Sequence, residues 1–517
     1  MKHILRGRLE SFSMIGGITV IVMAIAIHAF TAWWSPAWVD DVMQIEPAVN
    51  WVLGRGFVSF AQPSQSGDVV YVANNSLYPF ILAPWLKIFG LNLTATRVFD
   101  QLLCLLAICI ASAGLYKTGF LRTRAIQCMA IAVTICLGSV AFIYRSGRAD
   151  SATMLSSALI VYTYCLVRTS RISFWWLIVP ALLVVPSGIH AIPYLAILGL
   201  PVFMLDKSFR IIHVVMVVLG MALGMAGLLA YYATQGVATV FLQTNLGTGM
   251  HILGAIAQAV VIHDAKSLET LIHMLNTLSP LAVLKSVSID QSSNFLIFAM
   301  GAVALTTKDE AIRKKSLIGL LVAGLVPLGL HMAGRYVFYY VWMAGIPVVF
   351  CFCAMLQSAR EQPNASLRNW LLATAAIAAC LQGFPMYVLS SYQEYGPQGY
   401  AQTVAMCKEV LRNDDVVYGD PSIYFQVKQR NLAYYAPTYS GGRSYPKMSE
   451  AERQSITVMI LKEEDMDEAE TKIGGRWAKI SSYCQNSSTS DPKDRPKTFS
   501  IARRASADSA SSMQAEK

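Results

Sequence analysis

Runs of about twenty apolar residues, recurring from the N-terminus to about residue 390, constrain this chain more than any other feature. An α-helix needs that length to cross a ~30 Å hydrocarbon core, where only helices and closed barrels satisfy their own backbone polar groups. The 517 residues are 55% hydrophobic and 14% charged, where a soluble domain carries about 25% charged residues. The predicted fold is therefore a polytopic α-helical membrane protein with about 11 transmembrane helices. The first run, Ser13 to Trp33, follows Lys2, Arg6 and Arg8 as a signal peptide would. It is longer than an h-region and more spans follow, so it reads as a retained signal-anchor helix.

The net charge of +10 is explained by position. Lys and Arg gather in the short loops "KHILRGR", "KTGFLRTR", "RTSR", "DKSFR" and "KDEAIRKK", which marks those loops as cytoplasmic. No basic stripe with interleaved aromatics occurs, so nucleic acid is not an expected partner. Alternating the loops predicts helices at 13–33, 94–116, 125–143, 151–167, 173–187, 191–205, 211–233, 292–306, 316–331, 337–356 and 369–390. Two long segments, 34 to about 93 and 234 to about 291, then face the outside. The inside loops carry about 16 Lys and Arg, the outside segments before residue 390 about 8, in keeping with the positive-inside rule. The apolar stretch "SLYPFILAPWLKIFG" (76–90) is short for a span and reads as an interfacial or re-entrant helix. "GMHILGAIAQAVVIHDAKSLETLIHMLNTLSPLAVLK" in the second outer segment has the same character.

From about 391 the composition changes. "YAQTVAMCKEVLR" has helical spacing, "DVVYGD" and "ITVMIL" read as buried strands, and "DMDEAETKIGG" as a polar helix ending at Gly474 and Gly475. The expectation is a transmembrane domain over 1–390, a small α/β extracytoplasmic domain over 391–487 and a disordered tail over 488–517. Eight cysteines (Cys104, Cys109, Cys128, Cys136, Cys165, Cys351, Cys353, Cys380) fall inside apolar spans, where they serve as small packing residues. Cys407 and Cys484 lie in the polar region, and the sequence leaves their pairing open.

Asp40 and Asp41 in "WWSPAWVDDVMQ" follow the first span directly. An ionised carboxylate beside a bilayer is costly unless solvated, paired or used. Capping of the helix "DVMQIEPAVNWVLGRG" explains one of the two acids and not both. The same face collects Arg148 and Asp150 of "GRADSA", His190 of "PSGIHAIP", and His331, Arg335 and Tyr336 of "HMAGRYVFYYVWMAGIP". Taken one by one, each has a structural explanation. Together, carboxylates and guanidinium groups on one membrane face suit a reaction between a lipid-borne anion and a polar acceptor. Arginine holds phosphate oxygens by charge-assisted bonds, and an aspartate can take a proton from an attacking hydroxyl.

In succession these motifs resemble the GT-C class of polyprenyl-phosphate-sugar glycosyltransferases, in the branch holding protein O-mannosyltransferases and aminoarabinose transferases. The acidic pair is "VDDVMQIEPAVNWVLGRG"; a Pro-apolar helix, "FG" and an Arg-led span follow in "YPFILAPWLKIFGLNLTATRVFDQLLCLLA". "YRSGRADSATMLSSALIVYTY" matches the R-x-D segment and "GRYVFYYVWMAGIP" the late R-Y…P segment. The aminoarabinose branch carries Lys-Pro-Pro where this chain has "NNSLYP", so transfer to lipid A is not carried over. The resemblance implies displacement at the anomeric carbon of a polyprenyl-phosphate-linked sugar, with the extracytoplasmic acceptor a cell-envelope glycan such as lipopolysaccharide or a protein. It implies Asp40 as general base and Asp41 as orienter of the acceptor or ligand of a cation. Arg335, Arg148 and Arg97 are expected at the donor phosphate, and Asp150, His190, His331 and Tyr336 in support. The use of a divalent cation is left open, and the expected location is the bacterial inner or plasma membrane with the site facing the periplasm. Two other readings compete: a transporter or lipid-linked substrate flippase, and a noncatalytic scaffold. A transporter would usually show internal repeats and midplane charges, and neither stands out.

Overall fold

The computed structural model describes residues 2–61, 70–73, 75–189, 191–192, 194–195, 206, 208–245, 290–332, 340–360, 366–395, 401–436, 448–484 and 498–505. Most of the expected helix 191–205 and most of the second outer segment lie outside the described residues, as does the tail beyond 505. Among the described residues, six helices are long and apolar enough to cross a membrane: Glu10–Thr31, Leu93–Lys117, Asp150–Arg168, Ile211–Thr234, Trp342–Arg360 and Leu367–Tyr395. A bent pair makes a seventh. The chain is an integral membrane protein by this measure. Shorter apolar helices occupy Phe174–Ser187 and Gln291–Thr306, where the basic loops place further spans, and Glu310–Met332 supplies another.

Burial sorts these helices into centre and rim. The window in Trp342–Arg360 is 83% buried, those in Glu10–Thr31 and Ile211–Thr234 only 22% and 17%. Trp342, Phe352 and Met355 of the first are fully enclosed, while Phe12 and Phe30 of the N-terminal helix are more than two-thirds exposed. An apolar face turned outward in such a bundle faces lipid.

The elements that build the site come early: α1 (Lys2–Thr31), α2 (Val39–Val52), α3 (Leu77–Phe89), α4 (Leu93–Lys117), α5 (Arg124–Cys136), α6 (Gly138–Ser146) and α7 (Asp150–Arg168). Helices α5 and α6 meet at Leu137 with a bend of 60°. The break removes helical acceptors for two amides, a cost inside a bilayer. Ser292 Oγ accepts from Gly138 N at 2.9 Å and Asp290 Oδ2 from Ser139 N at 3.3 Å. Opposite the bend a second helix breaks at Gly383, where a Cβ would stand 1.9 Å from the Cys136 carbonyl oxygen. Only glycine fits that approach.

The C-terminal region forms a five-stranded mixed sheet in the order β2-β1-β3-β5-β4, with β1 Val416–Gly419, β2 Ala433–Tyr435, β3 Val458–Lys462, β4 Trp477–Cys484 and β5 Thr498–Arg504. The strands and polar helix expected from "DVVYGD", "ITVMIL" and "DMDEAETKIGG" are present. The expectation of disorder from 488 is corrected at β5, which lies between β3 and β4. Phe499, Ser500, Ile501 and Ala502 are all buried, and Ile501 pairs with Ile460. With both faces covered, short and polar side chains leave no apolar period to read. Asp415 accepts both guanidinium nitrogens of Arg503, at 2.5 and 3.0 Å, which ties β5 to the start of β1. The sheet shares one core with the outer segment. Val42, Ile45 and Val49 of α2 and Tyr78, Leu82 and Leu86 of α3 pack with Cys407, Leu411, Val417, Tyr424 and Ile460.

Candidate active site

The site forms where α1 ends, α4 begins, α6 ends and α7 begins, all at one end of the helices. The carbonyls at the end of α1 have no helical donors. Arg97, one turn into α4, holds the chain that leaves this helix end: Nη1 donates to Ala32 O at 2.5 Å and Ser35 O at 2.7 Å, and Nη2 to Pro36 O at 2.9 Å. A cation there also complements the negative end of the helix dipole. This clamp folds the segment "WSPAW" back over α4 and launches α2. Arg145 of α6 ties the same end of α1, donating to Thr31 Oγ1 at 3.0 Å.

The two acids of the doublet part ways at the first turn of α2. Asp41 Oδ2 accepts from the Trp38 amide at 2.9 Å, a capping bond, and stands 3.9 Å from Arg97. Its side chain is 1% exposed. Burial raises its pKa to about 7, against the opposing pull of Arg97. Asp40 points elsewhere. Its Oδ2 lies 2.8 Å from Arg148 Nη1, and its side chain is 23% exposed. Capping thus accounts for Asp41, and Asp40 is left to a different partner.

Gly147 ends α6 in the left-handed region, φ +72. That conformation strains any residue with a Cβ, and it turns the chain so that Arg148 faces α2. Arg148 is buried and bridges two acids, with Nε 2.9 Å from Asp150 Oδ2. Gln44 Oε1 accepts from the Ala149 amide at 2.7 Å, so side chain and backbone both join α2 to the α6–α7 turn. Beneath them lies Asp100 of α4, fully buried. It accepts from Tyr78 Oη at 2.8 Å and Ser151 Oγ at 2.5 Å.

The structure therefore brings together Asp40, Asp41, Arg97, Arg148 and Asp150. His190, Arg335 and Tyr336 lie outside the described residues, as does the side chain of His331. The phosphate-holding role expected for Arg97 does not suit a guanidinium taken up by three backbone carbonyls, nor does that for Arg148 suit one already bridging two carboxylates. Substrate contact by Asp41 and Asp150 is likewise limited by their burial. Residues missed in the sequence are Asp100, Tyr78, Arg145 and Ser151. Asp100 had a signal, since an ionisable residue within an apolar span is a site candidate in its own right. Among the described residues no three His, Cys, Asp or Glu side chains gather as metal ligands would.

A cavity of about 880 Å³ runs away from this layer between α4, α7 and the central helix. It starts at Met154, one turn beyond Asp150, and passes Ile108 and Phe350. It ends among Arg168, Asp206 and Lys315 at the far end of the helices.

A bundle of apolar helices capped by a small mixed sheet has the fold of the GT-C glycosyltransferases. Among solved structures, ArnT from Cupriavidus metallidurans bound to undecaprenyl phosphate is similar with a TM-score of 0.50, at 10% identity over 95% of this chain and 98% of that one. The oligosaccharyltransferase of Archaeoglobus fulgidus in its apo form also has a TM-score of 0.50, at 10% identity over 87% of this chain and 70% of its own. No protein-family model matches the sequence, and no curated protein matches it. At such identity the likeness is one of fold.

Proposed function

We propose that the chain is a membrane glycosyltransferase that moves a sugar from a polyprenyl-phosphate donor to a hydroxyl of an extracytoplasmic acceptor. One observation carries this reading. Among Asp40, Asp41, Asp100 and Asp150, the last three are buried, and Asp40 is the one partly exposed, held in place by Arg148. A positioned, accessible carboxylate at the membrane boundary is what a lipid-anchored donor and a water-borne acceptor require of a general base.

In this mechanism Asp40 takes the acceptor's proton as its oxygen attacks the anomeric carbon, and the phosphate leaves with the lipid. Arg148 holds Asp40, and Arg97 with Asp41 sets the start of α2. Arg335 is assigned to the leaving phosphate, His190, His331 and Tyr336 to supporting roles, and Asp150 to holding Arg148. The apolar cavity that starts at Met154 takes the prenyl chain. The shared fold with a protein solved with undecaprenyl phosphate supports such a donor. The acceptor is assigned to the cell envelope, a glycan such as lipopolysaccharide or a protein, and the location to a bacterial inner membrane with the site on the periplasmic face.

Substituting Asp40→Asn tests this. Insertion and folding should persist while transfer falls by about 10²–10⁴-fold, read by mass analysis of envelope glycans and proteins from cells with and without the chain. Wild-type transfer by the variant rejects Asp40 as the base. The same assay with and without a chelator decides whether a divalent cation takes part.

A further inference from the structure

Helix α2 carries a second set of buried polar groups that the proposed chemistry does not use. Glu46 and Asn50, one turn apart, face Lys428 at the end of the short helix α8 (Tyr424–Gln429) in the C-terminal domain. Lys428 Nζ lies 3.0 Å from Glu46 Oε1 and donates to Asn50 Oδ1 at 3.1 Å. Both charged side chains are 0% exposed. The ammonium sits between the rings of Tyr424 and Phe60, 5.7 and 5.9 Å from their centroids. Glu46 Oε2 accepts from Ser59 Oγ at 2.8 Å and from the Ala61 amide at 2.6 Å, and Asn50 Nδ2 donates to Val58 O at 2.9 Å.

The contact does not end there. Arg55, in the glycine turn after α2, donates to Asn431 O at 2.6 Å, and Gln429 donates to Leu91 O at 2.9 Å in the α3–α4 link. Residues 428, 429 and 431 thus hold three separate points of the first outer segment.

A buried ion pair is a poor source of stability, since an apolar pair of equal volume does as well or better. It is a good source of register, because charge and hydrogen bonds are satisfied together in one arrangement only. Glu46 stands six residues after Asp40, about 9 Å along the axis, and a one-residue slip of α2 would swing Asp40 by about 100°. We propose that Lys428 is a positioning residue for Asp40: by fixing Glu46 and Asn50 it sets the rotation and height of α2, and so the Asp40 carboxylate against Arg148. This rests on the reading of Asp40 as the base.

The experiment uses the full chain in lipid nanodiscs, with Lys428→Met and with Lys428→Met combined with Glu46→Gln. Three readouts are taken: hydrogen exchange at the amides of residues 42–46, thermal stability, and kcat and KM for sugar transfer per folded molecule. Lys428→Met should speed exchange across 42–46 and lower kcat about tenfold or more, with KM within about twofold, as for a misplaced catalytic group. The double variant has no stranded charge, so its thermal stability should return while kcat stays low. Native exchange in Lys428→Met overturns the proposal, as does a double variant with native kcat. If the wild-type chain transfers no sugar from any lipid-linked donor, the reading of Asp40 falls. The exchange data then still decide, without activity, whether Lys428 holds α2.

Discussion

Asp40 and Arg148 stand 108 residues apart in the chain and 2.8 Å apart in space. Arg148 also grips Asp150, so one buried guanidinium joins the outer segment to the head of α7.

Removing that guanidinium should damage both fold and function. Arg148→Gln takes the guanidinium from two carboxylates at once, and breaking a buried pair costs about 3–5 kcal/mol. It also frees Asp40, which should lower transfer about 10²-fold. Thermal unfolding in detergent and transfer assays on the folded fraction separate the two effects. An unchanged melting temperature would refute the bridging role.

Asp41 should make stability depend on pH in a defined window. Its folded pKa, raised to about 7 by burial, exceeds the unfolded value near 4. The folded state therefore binds the proton more tightly, and stability falls as pH rises from about 4 to about 7. Asp41→Asn should flatten that slope, measured by chemical unfolding across pH 4–8. A slope identical to wild type would show that Asp41 is ionised throughout.

Gly383 should tolerate no side chain. A Cβ there meets the Cys136 carbonyl oxygen at 1.9 Å, so Gly383→Ala must push apart two helices, one of which leads through α6 to Arg145 and Gly147. Overpacking of this kind costs about 1–3 kcal/mol. A melting point within error of wild type would contradict the close approach.

Truncation after residue 487 should unravel the C-terminal sheet. It deletes β5, which pairs with β3 on one side and β4 on the other, and it removes Arg503 from Asp415. Limited proteolysis should cleave the truncated chain within 456–484, where the full chain resists. Equal resistance would make β5 dispensable.

How legible the molecule was in its sequence follows the range of the forces involved. Membrane spans announce themselves locally, because each helix must satisfy its own backbone and present apolar side chains over a fixed length. The strand "ITVMIL" and the Gly474 helix stop were visible for the same reason. The strand at 498–504 was not, since four of its seven residues are polar and only pairing with β3 makes sense of them.

For the site, the sequence determined that Asp40, Asp41, Arg97, Arg148 and Asp150 stand near the ends of apolar helices, and in what order. It could not say which acid of the doublet would be buried as a cap and which held open, because that turns on Arg97 and Arg148 arriving from α4 and the α6–α7 turn. Nor could it pair Glu46 with Lys428 across 382 residues. Such choices belong to tertiary structure. A carboxylate's burial and partner depend on helices that meet only when the bundle closes, and the sequence nearby is the same in either case.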